Sequence, residues 1–142
     1  MRWVLWTVVA LVGVVGVVAI IGYFLPVAHE ASRRAEFNKP PEQVFGLIAD
    51  PKTYKSWWDG AEVRTEVVER VPPTKLVTKI VGETQFGGTW TFDITPTMNG
   101  SSLTITERGE IYNLVFRTLS KFALGYTGTM ESFLEAARKK LN

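Results

Sequence analysis

The chain has 142 residues, no cysteine and one histidine, and its 16 Lys and Arg against 14 Asp and Glu give a formal net charge of +2. Disulfides are excluded, a thiol or imidazole metal site is improbable, and the scattered cations form no basic stripe of the kind that grips nucleic acid. Mean hydropathy is +0.07, high for a soluble domain, and one segment causes it.

That segment comes first: WVLWTVVALVGVVGVVAIIGYFLP, from Trp3 to Pro26, without a charge. A helix of about 23 residues spans about 34 Å, enough for a hydrocarbon core of about 30 Å. Trp3 and Trp6 at one end and Tyr23 and Phe24 at the other sit where interfacial aromatics belong. The alternative is a cleaved secretory signal, but such apolar regions run to only about 7–15 residues, and LPVAHEA is a poor cleavage site. The reading is a single-pass membrane anchor over residues 1–27 and one further domain over 28–142. Arg2 precedes the span and Arg33, Arg34 and Lys39 follow it, too slight a bias to fix the side on which the domain lies.

HEASRRAEF reads as a first strand. NKPPEQVFGLIADP reads as a short helix opened by proline, with Val44, Phe45 and Ile48 on one face and Pro51 beyond its end. PKTYKSWW adds a helical turn, where the neighbours Trp57 and Trp58 are expected to point different ways. AEVRTEVVERV and TKLVTKIVGET alternate as strands around the turn PPT. A second pair, QFGGTWTFDIT and SSLTITERGEI, meets across MNGS, with Asn99-Gly100 as the hairpin signal. Alternation puts Phe86, Gly88, Trp90, Phe92 and Ile94 on one face of this pair, matched by Leu103, Ile105, Glu107, Gly109 and Ile111. Glycine weakens a strand; Gly87 and Gly88 are expected to let the sheet bend around a helix and to leave room inside. From Asn113 to Leu141 the period is helical, with Phe116, Leu119, Ala123, Met130, Phe133, Leu134, Ala137 and Leu141 near one face. Gly125 and Gly128 predict a kink or split. That apolar stripe needs a partner, and the inward face of the sheet is available.

PPEQVFGLIADPKTYKSWW, PPTKLVTKI, FGGTWTFDI, GSSLTITERGEIYN and VFRTLSKFALGYTGTMESFLEAA together resemble the START-like, or SRPBCC, superfamily, nearest to bacterial proteins of the polyketide cyclase/dehydrase type. The resemblance implies an α+β helix-grip fold: a curved antiparallel sheet wrapped around a long C-terminal helix, enclosing an apolar cavity. Members bind lipids, sterols, polyketides or other hydrophobic molecules, and only some catalyse a reaction. The chain departs from the pattern between SWW and VERVPPTKL, where DGAEVRTEV replaces a further hairpin. The shortening implies a cavity open on one side or an unpaired strand edge.

The ligand-binding candidates are the aromatic residues Tyr54, Trp57, Trp58, Trp90 and Tyr126, with Gly88, Phe92 and Ile105 on the inward face. Glu107 is the one carboxylate on that face. It calls for a partner, with Arg117 as the candidate, unless a bulge turns it outward or it orients a ligand or moves a proton. His29 reads as a solvent-facing or interfacial histidine. No nucleophile motif or phosphate loop is present, and GETQFGG lacks the lysine such a loop needs. No catalytic residue, metal, cofactor or oligomeric state is assigned. The expected function is membrane-tethered binding of a hydrophobic small molecule or lipid in a cavity between sheet and C-terminal helix. The partners are then that ligand and the bilayer, not nucleic acid. The alternatives are a cyclase/dehydrase-type enzyme acting on an apolar substrate and an interaction module that uses an exposed sheet edge.

Overall fold

A computed structural model describes residues 1–60 and 63–142; Ala61 and Glu62, at the start of the segment read as AEVRTEVVERV, lie outside the described residues. Helix α1 (Arg2–Phe24) ends where Leu25 turns extended, at φ −80° and ψ 149°, ahead of Pro26. Strand β1 (Ala28–Phe37) follows. Helix α2 (Pro41–Ile48) starts on Pro41, whose missing N–H has no role in a first turn, and buries Val44, Phe45 and Ile48. A 3-10 helix (Pro51–Ser56) is capped by Asp50, whose carboxylate accepts from the Lys52 N–H.

Strands β2 (Thr65–Val71), β3 (Lys75–Ile80), β4 (Phe86–Thr97) and β5 (Gly100–Ile111) complete one antiparallel sheet in the order β1-β5-β4-β3-β2. The Pro72–Pro73 bond in the first hairpin is cis. The second hairpin closes one residue earlier than its sequence signal. Thr97 pairs with Gly100, so Met98 and Asn99 form the loop. Among the described residues no non-glycine has positive φ, which excludes the primed turn that Asn-Gly favours and leaves Gly100 as the closing residue.

The helical region after Asn113 is split, as its glycines predict. Helix α3 (Leu114–Leu119), capped by the Asn113 side chain, runs into a π turn (Ser120–Leu124). Gly125 breaks the path at φ 72°, and α4 (Gly128–Leu141) resumes it. The single expected stripe therefore divides. Met130, Phe133, Leu134 and Ala137 of α4 enter the core, whereas Phe116, Leu119 and Ala123 do not. Helix α3 instead packs along α1, because the break frees it to follow a different axis.

The sheet curves around α4, with Phe37, Phe92, Leu103, Ile105, Met130 and Phe133 fully buried between them and α2 covering one end. This is the α+β helix-grip arrangement, preceded by one long apolar helix. β1 and β2 are the sheet edges.

Candidate binding site

Phe133 is the hub of the interior. It projects from the middle of α4, and the rings of Tyr54, Trp57 and Trp58 each lie 5.0 Å from it, with Trp90 at 5.6 Å and Phe92 at 5.7 Å. Mostly edge-to-face, these contacts suit ring quadrupoles. Trp57 and Trp58 both reach Phe133, against the expectation that neighbours diverge. The chain leaves the 3-10 helix at Trp57 (φ −138°, ψ −7°), and this change of direction brings both rings inward. The Tyr54 hydroxyl donates to the Ile48 carbonyl at 2.6 Å. Burial, and secondarily the Asp50 charge, push its pKa above the ordinary phenol range. The Trp58 Nε1–H donates to the Ser132 hydroxyl at 2.9 Å, whereas the buried Trp57 Nε1–H has no acceptor.

A polar cluster adjoins these rings. Glu107 sits directly across from Trp90 and from Ala31, and one row further along Gly109 lies between His29 and Gly88. The small Ala31 leaves Glu107 free to accept from two sides: from Trp90 Nε1–H at 2.9 Å and from His29 Nε2 at 3.0 Å. His29 occupies the space above Gly109, where a Cβ would run into the imidazole ring. Tyr126, just past Gly125, stacks on the other face of that ring at 4.0 Å. A carboxylate only accepts, so Nε2 carries the hydrogen in the neutral ring and Nδ1 holds the lone pair. That Nδ1 is buried and has no partner.

Glu107 and Arg117 do not pair. Arg117 is 6% exposed, and its guanidinium donates only to carbonyls. The acceptors are Ile111 at 2.8 Å, Gly22 at 2.9 Å, Tyr112 at 3.3 Å and Leu25 at 3.4 Å. Gly22 and Leu25 belong to the end of α1, where unsatisfied carbonyls and the helix dipole both favour a cation. The expected boundary after residue 27 is thus bridged by hydrogen bonds. The pairing was read from strand parity and from the expected start of the terminal helix; that start lies against α1, whose terminal carbonyls take the guanidinium.

Gly88 also has a different role from the one expected. Its φ is 129°, and a Cβ would collide with the Arg108 carbonyl oxygen and lie 2.7 Å from the Gly109 Cα. The absent side chain admits the backbone of β5 at close range. The space between sheet and helix expected to be lined by Trp90, Phe92, Ile105 and Tyr126 is occupied at its centre by Phe133.

Two recesses open elsewhere. One of about 640 Å³ runs between the 3-10 helix and α4, walled by Trp57 and Trp58 and rimmed by Lys55, Asp59, Glu135, Lys139 and Lys140. The other, about 440 Å³, includes Gly88, Thr89, Arg108, Glu110 and Tyr112. Of the sequence candidates, the first recess takes Trp57 and Trp58, and the second takes Gly88. Tyr54, Trp90, Phe92, Ile105 and Glu107 are interior, Tyr126 covers His29, and Arg117 is at the α1 junction. Sequence reasoning missed His29 and the hub role of Phe133. For His29 a signal existed: alternation along β1 puts it on the face of Ala35 and Phe37, both buried. Among the described residues no group of three or more His, Asp or Glu is placed to hold a metal ion.

No protein-family model and no curated relative matches the sequence. Solved structures do. A Mesorhizobium loti protein superposes with a TM-score of 0.59 at 17% identity, covering 78% of this chain and 95% of its own. An Arthrobacter aurescens protein solved by NMR gives 0.59 at 15%, covering 79% and 85%. The di-domain ARO/CYC protein StfQ of the steffimycin biosynthetic pathway gives 0.59 at 14%, covering 81% of this chain and 51% of StfQ, about half its length. At these identities the likeness is one of fold, and it places the chain among helix-grip structures that include a polyketide cyclase-type protein.

Proposed function

We propose that the chain is a membrane-anchored helix-grip domain that binds a hydrophobic small molecule or lipid beside Trp57 and Trp58. The recess of about 640 Å³ between the 3-10 helix and α4 carries this reading. Its volume falls within the roughly 300–1,000 Å³ of small-molecule sites; Trp57, Trp58 and Ala136 supply its apolar wall, and Lys55, Ser56, Asp59, Ser132, Glu135, Lys139 and Lys140 make the rest of its lining polar. Its tryptophan walls back onto the Phe133 cluster. Helix α1 is 23 residues long with a mean hydropathy of 2.9 over its most apolar window, the length and composition of a single bilayer span.

The test is native mass spectrometry of the full-length chain purified from cells in mild detergent. A discrete small-molecule adduct is expected on the wild type and on Met98→Ala, and its loss on Trp58→Ala. No adduct on the wild type, or the same adduct on Trp58→Ala, contradicts the reading.

A cyclase/dehydrase-type reaction on the bound molecule is the second reading. The His29–Glu107 contact is the observation behind it, because a carboxylate-held imidazole is the kind of pair that general acid–base catalysis uses. Turnover with any polyketide-like substrate that Glu107→Gln abolishes would establish it. Strand addition at β2 is disfavoured. That edge has a bulge between Val67 and Glu69 and carries Glu66, Glu69 and Arg70, features that block pairing with another chain.

A further inference from the structure

The helix that leaves the grip at Gly125 presents an apolar surface that the ligand-binding reading does not use. Within the segment 114–124, Arg117, Thr118 and Ser120 turn inward, whereas Phe116 and Leu119 are exposed, Phe122 is 70% exposed and Leu124 63%. With Arg117 turned inward, Lys121 is the only charged side chain on the outer side of this segment. An apolar stripe of this kind on a polar domain marks an interaction surface.

Its position identifies the occupant. Helix α3 lies against α1, and the two backbones meet at Gly22, where a Cβ would collide with the Leu114 carbonyl oxygen. Small residues permit such close approach between membrane helices. The Thr118 hydroxyl donates to the Val18 carbonyl at 2.7 Å. Val18 lies six residues before the end of α1 at Phe24, about 9 Å back along the helix axis. Any bilayer that α1 crosses therefore reaches α3. The exposed Tyr23 and Phe24 at the same end of α1 continue the apolar surface, as an interfacial aromatic belt does. The polar groups at this depth are satisfied internally. The Arg117 guanidinium is held by carbonyls and the Thr118 hydroxyl by Val18, as hydrocarbon requires. Lys121 has the long stem that lets an ammonium reach the headgroups.

We infer that the segment 114–124 is embedded in the bilayer interface alongside α1, with Phe116, Leu119, Phe122 and Leu124 among the acyl chains. The grip domain is thereby held in one orientation on the membrane, not on a free tether. This inference rests on α1 spanning the bilayer.

The chain has no cysteine, so single substitutions can be labelled without background. Full-length Phe122→Cys, Val12→Cys and Met98→Cys, each carrying the fluorophore NBD, are reconstituted into phosphatidylcholine–phosphatidylglycerol vesicles. Lipids bearing a nitroxide at a shallow or a deep acyl position serve as quenchers. The expected result is loss of most emission at position 122 with the shallow nitroxide, loss at position 12 with the deep one, and no loss at position 98. Quenching at 12 without quenching at 122 leaves the anchor standing and overturns the inference. A blue-shifted but unquenched label at 122 assigns the surface to a second copy and overturns it as well. No quenching at 12 removes the span, and the inference falls with it.

Discussion

The two ends of the grip are held by different physics. At the Trp57–Trp58 end, five aromatic rings meet at Phe133 and the stabilising term is apolar area removed from water. At the α1 end, one buried guanidinium joins the end of a long apolar helix to β5 and α3 through four carbonyls. Packing of the first kind degrades in proportion to the volume lost. The second kind fails abruptly, since removing the donor leaves several acceptors unmet at once. Glu107 lies with the first set and Arg117 with the second, which is why the two do not need each other.

Phe133→Ala removes the hub, and the loss expected is the largest, about 3–5 kcal/mol, read from thermal unfolding of the full chain in detergent by circular dichroism. Arg117→Met fills similar space without donors and is expected to cost about 3 kcal/mol. Arg117→Lys recovers only part of this, because one ammonium cannot serve four acceptors in a fork geometry. If the two ends are independent, the costs of Phe133→Ala and Arg117→Met add within about 0.5 kcal/mol; strong coupling between them breaks the comparison.

The glycine row gives a smaller effect. Gly88→Ala forces a side chain onto φ 129° and against the Arg108 carbonyl, at about 1–3 kcal/mol. Thr89→Ala next to it is expected to cost under about 1 kcal/mol. Equal melting temperatures would show that the β4–β5 approach does not depend on Gly88.

The smallest effect lies at the surface, where Arg33 donates to Glu131 at 2.9 Å and ties β1 to α4. The hydrogen bond from Arg33, helped by Thr127, lowers the Glu131 pKa below the usual carboxylate value. A lowered folded-state pKa means that the contact stabilises above the ordinary glutamate range and is lost as pH falls through the lowered value. The melting temperatures of wild type and Arg33→Ala should therefore differ slightly at neutral pH and converge in acid. A gap unchanged by acid removes Glu131 as the cause.

How much of this was written in the sequence depends on the range of each interaction. Alternation alone puts Trp90, Phe92 and Ile94 on one face with Leu103, Ile105 and Glu107, because a strand has a period of two; the pairing of Trp90 with Glu107 follows from a hairpin that closes one residue before its Asn99-Gly100 signal. Gly125 likewise marks the break before α4. The destination of the helix before that break was not legible: Phe116 and Leu119 keep the period of Met130 and Phe133, and nothing local shows that α1 competes for them. Arg117 was misassigned for the same reason, since its acceptors are backbone carbonyls, which no side-chain pattern reveals. The proposed site draws on the same set of aromatics, but its place was not legible. Which face of Trp58 meets solvent depends on Ser132 and Phe133, more than 70 residues away.

Hydrogen–deuterium exchange of the full chain in lipid nanodiscs, wild type against Arg117→Met, compares the two ends most directly. Faster exchange confined to the last turns of α1 and to residues 111–120, with the 3-10 helix and α4 unchanged, is the result expected if Arg117 fastens only the α1 end. Acceleration spread evenly over both ends, or none at the end of α1, contradicts it.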